Sequence, residues 1–252
     1  MTNQQALIDY LLRLGDNALI LGQRLGEWCG HGPVLEHDIA LSNMSLDHLG
    51  QARYLLTLAG EKEGKGRSED DIAFLRDGWD FRNCLLVEQP NGDFAMTVAR
   101  SFFYDSYNLP NFEALLNSNE KGLADIADKA LKEVRYHFKY SSEWVLRLGD
   151  GTEESHTRMQ EAIDQLWQYT GELTASNEVD EMMAKEGVAP DLDKIKLRWD
   201  DLVLPIIKEA GLSIPEDAYM QKGGKEGVHT EYLGHILTDL QFMQRAYPNS
   251  EW

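Results

Sequence analysis

The first segment of the chain carries apolar residues in alternating steps of four and three. These positions are Leu7, Leu11, Leu14, Ala18, Leu21, Leu25 and Trp28. Steps of this kind keep side chains on one face of an α-helix, at the spacing typical of an antiparallel helix bundle. The pattern therefore predicts a long first helix that ends at the glycine-rich break of residues 30–33.

The same periodicity predicts three more long helices and then a set of shorter ones. The long helices are expected over residues 36–59, from Asp93 to about 116, and over 122–148. Asp93 is placed to cap the third helix and Pro110 is expected to kink it. The shorter amphipathic helices are expected over residues 155–176, 178–185, 193–210 and 228–247.

No strand-type alternation longer than four residues, internal repeat or Pro/Ser-rich linker interrupts this pattern. The sequence therefore predicts an all-α protein with one domain over residues 1–252, in which the later helices pack on a four-helix bundle.

Polar residues lie in the middle of three predicted apolar faces. They are His48 and Gln51 on the second helix, Asp105 on the third and His137 on the fourth. In ferritin-like di-iron bundles this level holds the metal, with one carboxylate from each of two helices and Glu-x-x-His from each of the other two. Here Val134 stands three residues before His137, where that motif has its glutamate.

The predicted interior offers one carboxylate, Asp105, whereas a di-iron pair takes about four. The favoured interpretation is a buried hydrogen-bonded network without a metal. The alternative is a mononuclear iron site of two histidines and one carboxylate, from His48, His137 and Asp105.

The composition excludes several classes of function. The chain has 252 residues and a formal net charge of −19, from 24 Lys and Arg against 43 Asp and Glu. This charge disfavours binding to nucleic acid or to anionic membranes. The absence of a signal-like start or a long apolar run, with only two cysteines, predicts a cytoplasmic protein.

Several ordered stretches resemble one known family over nearly the whole chain. They are Leu14-Gly15-Asp16-Asn17, Arg24-Leu25-Gly26-Glu27-Trp28-Cys29-Gly30-His31, Leu49-Gly50-Gln51-Ala52-Arg53, Leu86-Val87-Glu88-Gln89-Pro90-Asn91-Gly92, Lys132-Glu133-Val134-Arg135-Tyr136-His137, Gly223-Gly224-Lys225, His229-Thr230-Glu231 and Leu233-Gly234. The family comprises the C-type, structural subunits of the multicomponent ring 1,2-phenylacetyl-CoA epoxidases (monooxygenases).

The resemblance implies a ferritin-like four-helix bundle with additional C-terminal helices, acting as a structural, non-catalytic subunit in aerobic phenylacetate degradation. It implies no cofactor in this chain, and a di-iron centre in the partner, which is the catalytic, A-type subunit. His48 and Gln51 then replace the glutamate and histidine of one Glu-x-x-His motif, and Val134 replaces the glutamate of the other, so these positions are vestigial.

The loop before the last helix has three interpretations. Lys222, Gly223, Gly224 and Lys225 can receive an anion such as a coenzyme A phosphate, which would bring phenylacetyl-CoA to this chain. The loop can instead be a plain connector, with Thr230 or nearby groups capping the helix. Alternatively, the loop and the run His229, Thr230 and Glu231 contact the catalytic partner.

The aromatic residues of the third helix predict the partner surface, because a helix that is apolar around most of its circumference is usually covered. The same surface would drive homodimers when the chain is alone. Two rival functions stay open: an autonomous ferritin-like iron oxygenase with a reduced metal site, and a helical adaptor unrelated to CoA chemistry.

Overall fold

The computed structural model describes residues 1–248 and 250, and every regular element in this part of the chain is helical. The chain divides into two compact units, one formed by Met1–Glu88 with Gly223–Trp252 and the other by Gln89–Lys222. The predicted all-α class is confirmed. The expectation of one domain over residues 1–252 stays a prediction.

The helices follow the predicted order closely. They are α1 (Asn3–Gly26), α2 (Leu35–Glu63), α3 (Glu69–Leu75), α4 (Phe94–Leu115), α5 (Lys121–Gly149), α6 (Glu153–Leu166), α7 (Gly171–Thr174), α8 (Glu178–Lys185), α9 (Leu192–Glu209) and α10 (Glu231–Ala246). Among the residues that the structure describes, no helix combines the length and the apolar character needed to cross a membrane.

In the first unit, α1 packs along α2, and α10 packs against α3. Glycines of α1 allow a close approach: a methyl group at Gly22 would lie 3.2 Å from the side chain of Leu49. The Ser45 hydroxyl donates a hydrogen bond of 2.7 Å to the Gly22 carbonyl at the same level. The close packing of α1 against α2 at this level buries the face of α2 that carries Ser45.

In the second unit, α4 packs against α5, α6 and α9. Asp93 begins α4 as predicted, because its carboxylate accepts a hydrogen bond of 2.9 Å from the Met96 amide. The Trp199 indole of α9 donates a hydrogen bond of 3.0 Å to the Phe103 carbonyl. These contacts surround α4 and make it the central helix of the unit.

The prediction that α4 offers a free partner surface is wrong. The five aromatic residues in its middle are buried within this chain, and they are Phe102, Phe103, Tyr104, Tyr107 and Phe112. These aromatic side chains of α4 are therefore covered by their own chain and are not free to contact a partner.

The predicted helix over residues 155–176 is interrupted. The α-helix ends at Leu166, a 3-10 turn covers Trp167–Tyr169, and the short α7 begins at Gly171. Gly171 lies against Met220, since a methyl group at Gly171 would be 2.8 Å from the Met220 Cγ. The interruption thus coincides with a close tertiary contact, which periodicity does not predict.

Candidate functional site

The predicted ligand positions lie in both units. In the first unit, His48 and Gln51 are buried and stand one turn apart on the face of α2 that carries Met44 and Leu55. In the second unit, Val134 and His137 are buried one turn apart on α5. The predicted inward orientation of these residues is confirmed.

Asp105 lies on α4 and accepts a hydrogen bond from the facing helix α5. The Ser141 hydroxyl is 2.8 Å from an Asp105 carboxylate oxygen and 3.0 Å from the carbonyl oxygen of His137, one turn before it. Ser141 is itself fully buried. The three groups form a polar cluster between two helices of the second unit.

Burial raises the pKa of Asp105 to about 6, while the charge of His137 and the hydrogen bond from Ser141 act in the opposite direction. Water is a better solvent for a carboxylate than the helix interior, so burial favours the protonated form. The effect of burial on the Asp105 carboxyl is therefore larger than the opposing effects of His137 and Ser141.

A dinuclear iron centre does not fit the residues at these positions. Such a centre takes about four carboxylates from the helices of the bundle. Gln51 offers a neutral amide, and Val134, which is fully buried, offers no ligand atom. On α1 the face that corresponds by spacing carries Leu14, Ala18 and Leu21, which are all buried and apolar.

The glycine-lysine loop packs against the segment 81–88 of the first unit. Gly224 lies so close to this segment that a methyl group there would collide with the carbonyl oxygen of Asn83. Lys225 is buried, whereas Lys222 is exposed. This part of the loop is thus docked by close backbone packing, which only glycine allows.

A carboxylate of this chain sits at the start of α10. The Thr230 backbone N–H donates a hydrogen bond of 2.7 Å to Glu88 Oε1, and the Asn83 amide donates one of 3.1 Å to Glu88 Oε2. Thr230 occupies the predicted cap position, although its hydroxyl makes no capping hydrogen bond. Glu88 is fully buried, so a carboxylate of this chain accepts the backbone N–H at the N-terminus of α10.

His229 completes this network. Its Nδ1 lies 3.1 Å from Glu88 Oε2, and its Nε2 lies 3.0 Å from the carbonyl oxygen of Phe81. Burial acts to lower the pKa of His229, but the hydrogen bond and charge of Glu88, with the Phe81 carbonyl and Asp16, raise it above its ordinary value. The sequence segments around Glu88 and His229 are therefore in contact in the folded chain. Glu231 follows as the first residue of α10 and is exposed.

A second buried charge pair was not predicted from the sequence. The Asp16 carboxylate on α1 forms an ion pair with the Arg76 guanidinium, and it also accepts a hydrogen bond of 2.8 Å from the Arg82 backbone N–H. Both charged side chains are buried, and Arg76 lies over the Phe81 ring, 4.2 Å from its centroid. The sequence gives no local signal for this pair, because Asp16 stands beside the polar residues Arg13 and Asn17 and its partner lies 60 residues away.

Comparison with known proteins agrees with these observations. The family model described as "Phenylacetic acid catabolic protein", a ferritin-like family, matches residues 1–252. The chain is 48% identical over 246 residues to a protein of Escherichia coli (strain K12) that is named as the C-type subunit of 1,2-phenylacetyl-CoA epoxidase. The aligned region covers 98% of this chain and 99% of the relative.

Proposed function

The chain belongs to the phenylacetic acid catabolic protein family, and on this premise we propose that it is the structural, non-catalytic subunit of a multicomponent 1,2-phenylacetyl-CoA epoxidase. Its partner is the catalytic subunit, which holds the di-iron centre that activates oxygen. A separate reductase supplies the electrons. The proposal includes a cytoplasmic location and no metal cofactor in this chain.

The observation that carries the proposal is the chemistry of the buried positions on α2 and α5. Gln51 and Val134 stand where a di-iron helix pair needs a histidine and a glutamate, and both side chains are buried. Because a buried valine cannot bind a metal, the α5 position lacks a bridging carboxylate. Asp105 accepts a hydrogen bond from Ser141 and interacts electrostatically with His137, as expected of a structural polar cluster.

One observation favours a second candidate, an autonomous oxygenase with a mononuclear iron. Asp105 and His137 are a buried carboxylate and a buried imidazole that interact electrostatically, and both are ligand types of non-haem iron. This candidate requires that the chain bind iron and turn over substrate without a partner.

Iron loading separates the two candidates. The purified chain is incubated with Fe(II) without oxygen, desalted, and analysed for iron beside the Asp105→Ala variant. Iron near zero in both samples is the expected result. About one iron per chain that is lost in the variant would overturn the non-catalytic role.

A reconstitution assay tests the supporting role. The catalytic subunit and the reductase are supplied with NADPH and phenylacetyl-CoA, with and without this chain, and epoxide formation is measured. We expect activity to depend on the chain and to be unchanged in the Asp105→Asn variant. Equal activity without the chain would refute the proposal.

A further inference from the structure

Helix α2 carries apolar residues on two opposite faces. One face is buried and includes Leu41, Met44 and Leu55. On the other side Leu35, Ile39 and Leu46 are exposed by 71%, 51% and 66%. We call these three residues the outer stripe of α2.

The three residues of the outer stripe lie along one line on the helix surface. At about 100° per residue, its three positions fall within about 40° of arc, and the buried face lies about 180° away. Gly50 lies on the same line, and a methyl group at Gly50 would meet no neighbouring atom within 4 Å. Exposed apolar side chains aligned along one helix face are of the kind that receives another helix.

Acidic side chains border this stripe. Glu36 and Asp47 project along one edge, and Asp38 projects along the other. Arg53 lies at the far end of the line, where it forms an ion pair of 3.2 Å with Glu69. A partner helix with basic residues beside its apolar seam matches this surface electrostatically.

The charge of the whole chain disfavours a second copy as the occupant. Each copy carries a formal net charge of −19, so two copies repel each other over their surfaces. Two outer stripes placed face to face would also bring their acidic edges together. The complementary partner is therefore a different polypeptide.

We propose that the outer stripe of α2 docks an amphipathic helix of a different polypeptide, in which Lys and Arg flank the apolar seam. The inference rests on the proposed function, because it takes this helix to belong to the catalytic di-iron subunit. It places the subunit interface on α2.

The test compares two equally exposed leucines. Leu46→Glu changes the outer stripe, while Leu197→Glu changes α9, where Leu197 is also exposed by 66%. The affinity of each variant for the catalytic subunit is measured by titration, and thermal unfolding confirms that both variants fold. We expect Leu46→Glu to weaken binding at least about 30-fold and Leu197→Glu to change it less than about threefold.

A charge-reversal variant tests whether the partner helix is basic. Glu36→Arg reverses one edge charge outside the apolar line, so it should weaken binding about five- to tenfold at low salt and less at high salt. Tighter binding by Glu36→Arg would refute the basic character of the partner helix.

The outcomes separate this inference from the proposed function. If the wild-type chain does not bind the catalytic subunit, the proposed function fails. If the wild-type chain and Leu46→Glu bind it equally well, the subunit role stands and the α2 interface is refuted. Sedimentation of the chain alone gives a further criterion: a wild-type dimer that Leu46→Glu converts to a monomer would show that a second copy occupies the stripe.

Discussion

The imidazole of His229 lies between the Glu88 carboxylate, 3.1 Å from Nδ1, and the Phe81 carbonyl oxygen, 3.0 Å from Nε2. Both neighbours are acceptors, so both ring nitrogens can donate only when the imidazole is protonated. The segment before α10 is thereby held to residues that lie more than 140 positions earlier in the sequence.

This arrangement predicts that His229 makes stability depend on pH. The pKa of His229 is raised in the folded chain, so its contribution is fully present below the ordinary value of 6.5 and is lost as the pH rises through the folded pKa. The free energy of unfolding, measured by urea titration between about pH 5.5 and 8.5, should fall with pH more steeply in the wild type than in His229→Gln. Parallel curves for the two proteins would contradict the protonated imidazole.

The raised pKa of Asp105 predicts a second pH dependence of stability, at lower pH than that of His229. Its folded pKa of about 6 exceeds the ordinary value of 3.8, so the folded state binds more protons between about pH 4 and 6 and stability falls as the pH rises through that window. The full effect corresponds to about 3 kcal/mol. Asp105→Asn should remove it and should raise the free energy of unfolding at about pH 7.5 but not at about pH 4.

Many other carboxylates titrate in this window, so the difference between variants is the measured quantity. Asp128→Asn is the matched control, because Asp128 is exposed on α5. If Asp105→Asn and Asp128→Asn shift the pH profile equally, the buried and electrostatically coupled state of Asp105 is refuted.

The helices were predictable because periodicity is a local property of the sequence. The steps of three and four located the long helices, and the inward orientation of His48, Asp105 and His137 followed from the same pattern. The helix N-cap at Asp93 was equally predictable, because it depends on a single residue type at one position.

The polar networks were not predictable, since their partners are far apart along the chain. Asp16 and Arg76 are 60 residues apart, and Glu88 and His229 are 141 residues apart. Periodicity also failed for α4, where it indicated apolar surface correctly but could not indicate that the covering helices belong to the same chain. The outer stripe of α2 was not predicted, because periodicity on that helix singles out the opposite face with its buried polar residues.

The buried Asp16–Arg76 pair predicts a large loss of stability when one partner is removed. Asp16→Asn leaves the Arg76 guanidinium buried without its counter-charge, which typically costs about 3–5 kcal/mol. Glu143→Gln is the control, because Glu143 pairs with Arg147 at an exposed position and such pairs contribute about 1 kcal/mol or less. Chemical denaturation of both variants measures the difference.

A double variant separates charge from packing at this pair. Asp16→Leu with Arg76→Met removes both charges, so it should recover much of the stability that Asp16→Asn loses. A double variant that is less stable than Asp16→Asn would show that the hydrogen bond from the Arg82 backbone N–H and the contact of Arg76 with Phe81 matter more than the charge.

Replacing a glycine by alanine should change stability in opposite directions at two positions of the first unit. Gly224→Ala places a methyl group against the Asn83 carbonyl, which is backbone and cannot move aside, so the loop must shift at a cost of about 1–3 kcal/mol. Gly234→Ala lies on α10 with no neighbour within 4 Å, so it should stabilise the chain by about 1 kcal/mol.

The same two variants test whether the loop holds His229 in place. Because Gly224 positions the loop that carries His229, Gly224→Ala should flatten the pH dependence of stability above the ordinary histidine pKa of 6.5, whereas Gly234→Ala should leave it intact. A destabilised Gly224→Ala variant with the full wild-type pH dependence would show that the loop and His229 are held independently.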